Sequence, residues 1–378
     1  MYWLDIAFWQ NHLLLTVFAG TVIIQLLYYL VLFTGLAFFK NKKQEEFSEP
    51  ISVIICAKNE ADNLMQHLPL VLSQKHTDFE VVVVNDQSAD NTEDVLKAFH
   101  LQYPKLKIVN TPKQSGNDYF SKKMAVTLGI KAASNEHLVF IDADCRPASD
   151  LWLKKMAEPF GNEKIKIVLG FSPYEKKNTL LNWLIGFDTW MIGLQYLSFA
   201  VRKMPYMGVG RNLAYMRSLF FANKGFASHI HISSGDDDLF IQEVANSKNT
   251  AIVPQREAHT ISVPEQSFSD WVFQKQRHLQ TSGEYKWHIR LLLGGFSLSL
   301  TLFVILFPLL IITEPYVYLI LSLAMAKYLI QFGIFNLVNK YLNDKRVVFL
   351  FWLLEPLLVA FYIFLFFKRM MHKLFKWV

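Results

Sequence analysis

The sequence predicts an α/β protein: a mostly parallel sheet covered by helices, with membrane-crossing helices at both ends of the chain. Three observations carry that expectation. Short apolar runs alternate with helical patterns between residues 51 and 141, the order expected of a parallel sheet covered by helices. Long uncharged stretches stand at the two ends of the chain. Acidic residues recur where the predicted strands end, which is where such sheets bind their ligands.

The elements follow in order. Leu13 to Phe39 is almost free of charge and exceeds the roughly 20 residues that cross a bilayer. Its upstream flank, Met1 to His12, has no Lys or Arg, whereas Lys40, Lys42 and Lys43 follow it. A secretory signal has its basic residues in front, so this segment reads as an uncleaved anchor with the chain after Lys40 in the cytoplasm. Strands are expected at Ile51–Cys56, Glu80–Val84, Leu106–Val109 and Leu138–Ile141, with helices from about Ala61, after Thr92, over Lys122–Ala133 and near Ser149. Leu180–Val201 is apolar but holds Asp188 and Gln195, and suits either a helix in the membrane interface or a buried core helix. His229 and His231 alternate as on a strand. Three apolar stretches close the chain: Leu291–Thr313, Pro315–Val338 and Val347–Phe367. The expected division is an anchor over 1–44, a cytoplasmic domain over 45–290 and a membrane region over 291–378.

The topology leaves one question open. Three full spans after a cytoplasmic domain export a tail that contains Lys368, Arg369 and Lys373. Glu355-Pro356 interrupts the last stretch, so a re-entrant hairpin is the alternative.

Composition sets limits on function. The chain has 378 residues, 52% of them hydrophobic and 15% aromatic, with a formal charge of +6. Its basic residues gather beside the apolar stretches and suit anionic headgroups. No basic stripe interleaved with aromatics is present, which argues against nucleic acid as a partner. Cys56 and Cys145 read as small buried residues rather than a disulfide.

Four motifs carry chemistry. Asp142-Ala143-Asp144 leaves the fourth predicted strand, and paired carboxylates there suit Mg²⁺ or Mn²⁺ bridging to phosphates. Glu60 and Asp86 end two other strands, so three strands aim acids at one crevice. Gly208, Gly210 and Arg211 permit close approach to a phosphate, with Arg211 as its partner. Gly235-Asp236-Asp237-Asp238 is too dense an acid cluster for ordinary surface and offers a candidate general base.

With Asp86, Asp142-Ala143-Asp144, Gly235-Asp236-Asp237-Asp238 and then Gln274-Lys275-Gln276-Arg277 in this order, the chain resembles the membrane-bound family-2 glycosyltransferases over about residues 48–290. That group includes polysaccharide synthases and enzymes that glycosylate lipids, such as ceramide glucosyltransferases. The resemblance implies the A-type glycosyltransferase fold (the nucleotide-diphospho-sugar transferase fold) and inverting transfer from a nucleotide-diphospho-sugar. It implies that Ala57, Asn59, Glu60 and Asp86 contact the nucleotide's base and ribose. Asp142 would approach the nucleotide, and Asp144 would hold the metal beside it. Asp236 would be the base, with Asp237 the alternative. Gln274 and Arg277 would sit over the diphosphate, helped by Lys122 or Lys123. His278 stands where the family carries tryptophan. At most three spans follow the domain, which favours a lipid or lipid-linked acceptor over polymer export. A processive synthase and an inactive, membrane-tethered nucleotide-sugar binder are the alternatives. The expected setting is a bacterial inner (plasma) membrane.

Overall fold

A computed structural model describes residues 12–41, 47–112 and 121–375; Lys42 and Lys43 lie outside it. Helix α1 runs over Leu13–Leu27, passes through a π-helical segment at Tyr28–Phe33 and ends in an α-turn at Thr34–Ala37. Strands and helices then alternate: β1 Ile51–Ala57, α2 Ala61–Leu72, β2 Phe79–Asn85, α3 Thr92–Gln102, β3 Leu106–Asn110, α4 Ser121–Ala132, β4 His137–Phe140. After β5 Cys145–Pro147 come α5 Trp152–Ala157, β6 Ile167–Gly170, α6 Leu180–Val201, β7 Leu213–Met216, α7 Arg217–Ala222 and α8 Asp238–Val244. The chain continues with β8 Thr250–Val253, β9 Thr260–Ser262, α9 Phe268–His278, α10 Trp287–Thr313, α11 Val317–Leu342 and α12 Lys345–Phe375.

Among the described residues seven strands form one sheet in the order β3-β2-β1-β4-β7-β6-β8, parallel except where β7 runs against β4 and β6. Alternate residues of β1 face opposite cores, as the two-residue period of a strand requires. Val53 and Ile55 pack against α2 and α5, while Ile54 joins the cluster shared with α6. The order departs from sequence between β1 and β4, so the carboxyl ends of β1, β2 and β4 open onto one crevice.

Helix α6 lies between that sheet and the apolar helices. It connects β6 to β7, which are neighbours in the sheet, so both its ends return to one place. Gly193 lets α6 approach closely, since a Cβ there would meet the Phe171 ring, and Tyr196 donates to the Gly170 carbonyl at 2.5 Å. On its other side Trp190 packs on Phe335 of α11 and Arg202 donates to Thr34 of α1. Of the two sequence readings, the buried core helix holds.

Five described helices are long and apolar enough to cross a membrane. The far ends of α1, α10 and α11 meet, where His12 pairs with Glu314 at 3.2 Å and lies edge-on to Tyr316. A separate apolar cluster of Leu15, Phe18, Val22, Phe303, Leu310 and Ile320 closes that half. Helix α12 is different. Arg346 bonds the Lys177 carbonyl near its start, Phe361 stacks on Trp271 at 3.9 Å, and Arg369 reaches the Leu279 carbonyl. Its ends, about 35 Å apart at 1.5 Å per residue, therefore touch the same domain. The last stretch is one continuous helix containing Pro356, not a hairpin.

Midway along, Glu355 accepts from Gln331 at 2.5 Å and pairs with Lys327, all three buried. These residues form a buried polar contact between α11 and α12. Removing one partner of a buried pair costs about 3–5 kcal/mol, whereas an apolar replacement of both is often neutral. Glu355→Leu should therefore lower the thermal unfolding midpoint in detergent sharply, and Glu355→Leu with Lys327→Leu should recover most of it. Equal losses in the two variants would show that the pair does not hold α11 to α12.

Candidate active site

The acids gather at the strand ends because a parallel sheet delivers its carboxyl ends to one edge. Asp142 and Asp144 follow β4, and Glu60 follows β1 at the start of α2. Asn59 precedes it at φ 59°, a left-handed conformation that asparagine tolerates. Its side chain accepts from the Ala89 amide at 2.7 Å and so joins the β1 turn to the β2 turn. Glu60 accepts from Asn63 at 2.6 Å, and burial raises its pKa.

Asp144 is fixed from the far side of the sequence. The pairing of β5 with β9 sets Ser262 opposite Cys145, and the Ser262 hydroxyl donates to Asp144 at 3.2 Å. Burial, then the charge of Asp142, pushes the Asp144 carboxyl up. Two carboxylates that resist sharing a charge in one cleft are a suitable pair for a divalent cation. Among the described residues no third His, Cys, Asp or Glu completes a protein-only metal site. Two carboxylates plus substrate oxygens and water is nevertheless a set that Mg²⁺ accepts, so Asp142 and Asp144 fit the ion.

The second acid cluster approaches from the other half of the chain. Gly235, at φ 95°, turns the backbone into α8 where an added Cβ would strike Leu239. Asp238 is consumed by structure: Thr281, Tyr285 and the Leu239 amide all donate to it. Asp237 accepts from the Gly210 and Asp238 amides, both at 2.7 Å. Burial, then Asp236 and Asp238, raises its pKa to about 7. Asp236 instead faces Lys122, whose ammonium lies 3.5 Å from it and 3.3 Å from Asp142. Lys122 thus bridges the two clusters, and their charges raise its pKa well above that of an ordinary lysine.

Arg211 is held rather than free. It donates to the Tyr174 hydroxyl at 2.8 Å and the Ser172 carbonyl at 3.1 Å, and lies over the Tyr174 ring. Tyr174 in turn donates to Gln274, which also donates to Glu265. One turn on, Arg277 makes no ion pair among the described residues and is exposed to the cleft, open to an anionic ligand.

Most of these groups line one cavity of about 1110 Å³. Glu60, Lys122, Asp142, Asp144, Arg211, Asp236, Asp237, Gln274, Arg277 and His278 share its wall. Ala57, Asn59 and Asp86 are not part of its wall, which corrects the expectation that Asp86 faces this crevice. Asp86 is buried and accepts from Thr111 at 3.0 Å, and the Ala57 carbonyl accepts from the Asp86 amide.

Two further sequence expectations are corrected. Lys123 does not face the cavity. Its buried ammonium donates to the His229 and Ile232 carbonyls and pins the loop that leads to Gly235, because the two lysines lie on different faces of α4. His229 and His231 are not on a strand. His229 ends a 3₁₀ turn and pairs with Glu243 at 3.0 Å. Sequence reasoning missed Tyr174, Ser262 and Glu265. No local motif marks them, since each acquires its role by packing against a distant segment.

Comparison with known proteins gives a consistent picture. Residues 52–221 match the sequence profile described as Glycosyl transferase family 2. The chain is 32% identical over 122 residues to the glycosyltransferase AglE of Haloferax volcanii, covering 32% of this chain and 38% of that one. It is 28% identical over 214 residues to the probable glycosyltransferase YdaM of Bacillus subtilis, covering 52% and 49%. A poly-β-1,6-N-acetyl-D-glucosamine synthase of Staphylococcus epidermidis is 28% identical over 140 residues, covering 37% and 32%. These matches span a third to a half of the relatives' lengths. Among solved structures, the mannosyltransferase of Pyrobaculum calidifontis in complex with GDP-Man and Mn²⁺ superposes with a TM-score of 0.59 at 16% identity, covering 92% of this chain and 96% of that one. This likeness fixes the fold.

His278 provides a test of the site's electrostatics. Although His278 keeps an exposed edge, desolvation in the cleft, then Lys275 and Arg277, holds its pKa well below that of an ordinary histidine. A lowered pKa keeps the ring neutral as pH falls through about 6.5, the unperturbed value. NMR of ring-labelled histidine, assigned with His278→Gln, should show no titration of this residue near that pH; an ordinary titration would refute the electrostatic picture.

Proposed function

With residues 52–221 forming a glycosyl transferase family 2 domain on the A-type glycosyltransferase fold, we propose that this chain transfers a sugar from a nucleotide-diphospho-sugar to a lipid or other membrane-proximal acceptor, with inversion. One observation carries the reading: a single cavity has the acid clusters at one end and the apolar helices α10 and α12 at the other. A donor that needs charge and an acceptor that needs lipid then meet in one space.

The residues take the following roles. Asp142 faces the nucleotide, with Glu60, Asn59, Ala57 and Asp86 behind it on the base and ribose side. A divalent cation on Asp144 and Asp142 supplies, when bound, positive charge beside the diphosphate. Arg277 and Gln274 bind the diphosphate, Arg277 bidentately, and His278 packs as a neutral ring. Arg211 and Lys122 balance the surrounding carboxylates. Asp236 takes the proton of the acceptor hydroxyl. The oxygen forms its bond to the anomeric carbon as the bond to the diphosphate breaks, and the nucleoside diphosphate leaves with the electron pair. Asp236 suits the base better than Asp237, because both oxygens of Asp237 already accept backbone amides.

A polysaccharide synthase stands among the relatives, but polymer export needs a water-filled path. Here α1, α10 and α11 close on apolar side chains, with Phe18 stacked on Phe303 at 5.5 Å. That packing favours a lipid acceptor over a growing chain.

We place the catalytic face on the cytoplasmic side of a bacterial inner membrane. Lys40, Lys340, Arg346 and Arg369 belong to the domain side of the bundle, while the far loop carries His12 and Glu314. Exposed Ser73→Cys should resist an impermeant maleimide in intact cells and react once the membrane is opened. Labelling from outside would reverse the orientation.

The chemistry is tested by screening nucleotide sugars by calorimetry with and without Mn²⁺. Asp144→Asn should lose the metal-dependent part of binding. Asp236→Asn should bind donor and lose transfer by the order of 10²–10⁴ expected of a positioned base. Unchanged binding in the first variant removes the metal role, and retained transfer in the second moves the base elsewhere.

A further inference from the structure

One buried charge beside the acids has no part in the chemistry proposed above. Lys123 of α4 is 1% exposed and forms no ion pair among the described residues; its ammonium donates to the His229 carbonyl at 2.5 Å and the Ile232 carbonyl at 2.8 Å. Taking an ammonium out of water to meet neutral carbonyls is costly, and an apolar side chain of the same length would fill the space without that penalty. What the ammonium adds is direction, since one group with three donors can hold two carbonyls at once. Both carbonyls belong to one turn, in which the Ile232 amide also donates to His229 at 3.1 Å. Asp236 lies four residues beyond Ile232. Burial pulls the Lys123 pKa down, while the charges of Asp236, Asp238 and Glu243 favour the ammonium. The turn is tied from the other side as well. Glu243, on the helix α8 that follows the acids, accepts from the Ser228 hydroxyl, pairs with His229 and accepts from Asn223 at 2.8 Å. Ser233 donates to Gln280 at 3.2 Å, and Ser233 and Ser234 line the cavity. Helix α4 is a fixed base for this clamp, because its Val126 and Ile130 join the apolar cluster that holds Ile54 of β1 and Leu138 of β4.

Resting on the reading of Asp236 as the base, we propose that Lys123 is a positioning residue for transfer: by holding the His229 and Ile232 carbonyls on α4, it sets the loop that presents Asp236 to the acceptor. The two adjacent lysines of α4 then divide the task. Lys122 meets the Asp236 carboxylate itself at 3.5 Å, through a side chain that a substrate can displace. Lys123 holds backbone and does not line the cavity, so a bound ligand leaves its contacts in place. Asp236 thus keeps its position when the Lys122 contact is given up. A base misplaced by about 1 Å loses much of its effect, and the loss falls on the chemical step. Asp144, on the donor side, is held by Ser262 and by the pairing of β5 with β9, contacts that do not involve this loop. Donor affinity should therefore survive a loosened clamp.

The test is a double-mutant cycle on the full chain in nanodiscs of a bacterial polar lipid extract, with the labelled nucleotide sugar found by the donor screen. Label reaching the lipid fraction gives kcat and KM, and calorimetry gives donor affinity. Lys123→Met keeps the length of the side chain and removes its donors. It should lower kcat by roughly ten- to a hundredfold and keep donor affinity within about twofold. Hydrogen exchange across residues 229–236 should quicken. The same change made in Asp236→Asn should cost almost nothing further, because a base that is absent cannot be misplaced. If Lys123→Met does not fold, Glu243→Ala loosens the opposite anchor and takes its place in the cycle, with the same expectations. An equal loss in both backgrounds, a loss that falls on donor affinity instead of kcat, or unchanged kcat or exchange in the single variant overturns the inference. Retained transfer in Asp236→Asn alone overturns the reading of the base beneath it.

Discussion

The site depends on one ammonium group. Lys122 lies between Asp142, delivered by the fourth strand, and Asp236, delivered by the loop before α8, with Asp144 and Asp237 close behind. Four carboxylates in one cleft repel one another, and burial worsens the cost because the charged forms lose water. A lysine placed between the two clusters lets them approach, with the charge of Arg211 also acting on Asp144. It also joins the two halves of the domain electrostatically, so the cleft's geometry is tied to its charge balance. The partner lysine beside it works differently: Lys123 is buried on backbone carbonyls and holds the acidic loop in place.

The three acids of the Gly-Asp-Asp-Asp cluster divide the labour by their hydrogen bonds. Asp238 anchors α8 to the segment before α10 through Thr281 and Tyr285. Asp237 fastens the Gly210 turn to the same loop, at the cost of a raised pKa. Asp236 alone points its carboxylate at a mobile type of partner, a lysine side chain that a substrate can displace. Asp236 is thus the acid of the three with the fewest structural duties.

Helix α6 links catalysis to the bilayer side. Its small residue Gly193 admits the Phe171 ring, its Asp188 binds α9 and α12, and its Trp190 packs on α11. Because α9 also carries Gln274 and Arg277, anything that shifts α12 against α6 reaches those two cavity-lining groups within two contacts. Helix α12, bonded to the domain near both ends, holds this arrangement together.

Period and composition were enough to find the four parallel strands, the helices between them and the apolar ends, because strand and helix periods are local properties. The placement of Asp142, Asp144 and Glu60 in one crevice followed as well, since a parallel sheet gathers its carboxyl ends at one edge. Tertiary structure decided the rest. Which of two adjacent lysines faces the cleft depends on the rotation of α4 against the sheet. Ser262 bonds Asp144 across 118 residues only because β5 pairs with β9. The Asp188–Lys275 and Lys327–Glu355 pairs, and the course of α12, depend on how helices pack on one another. Those contacts have high sequence separation and no period, so no local pattern could announce them.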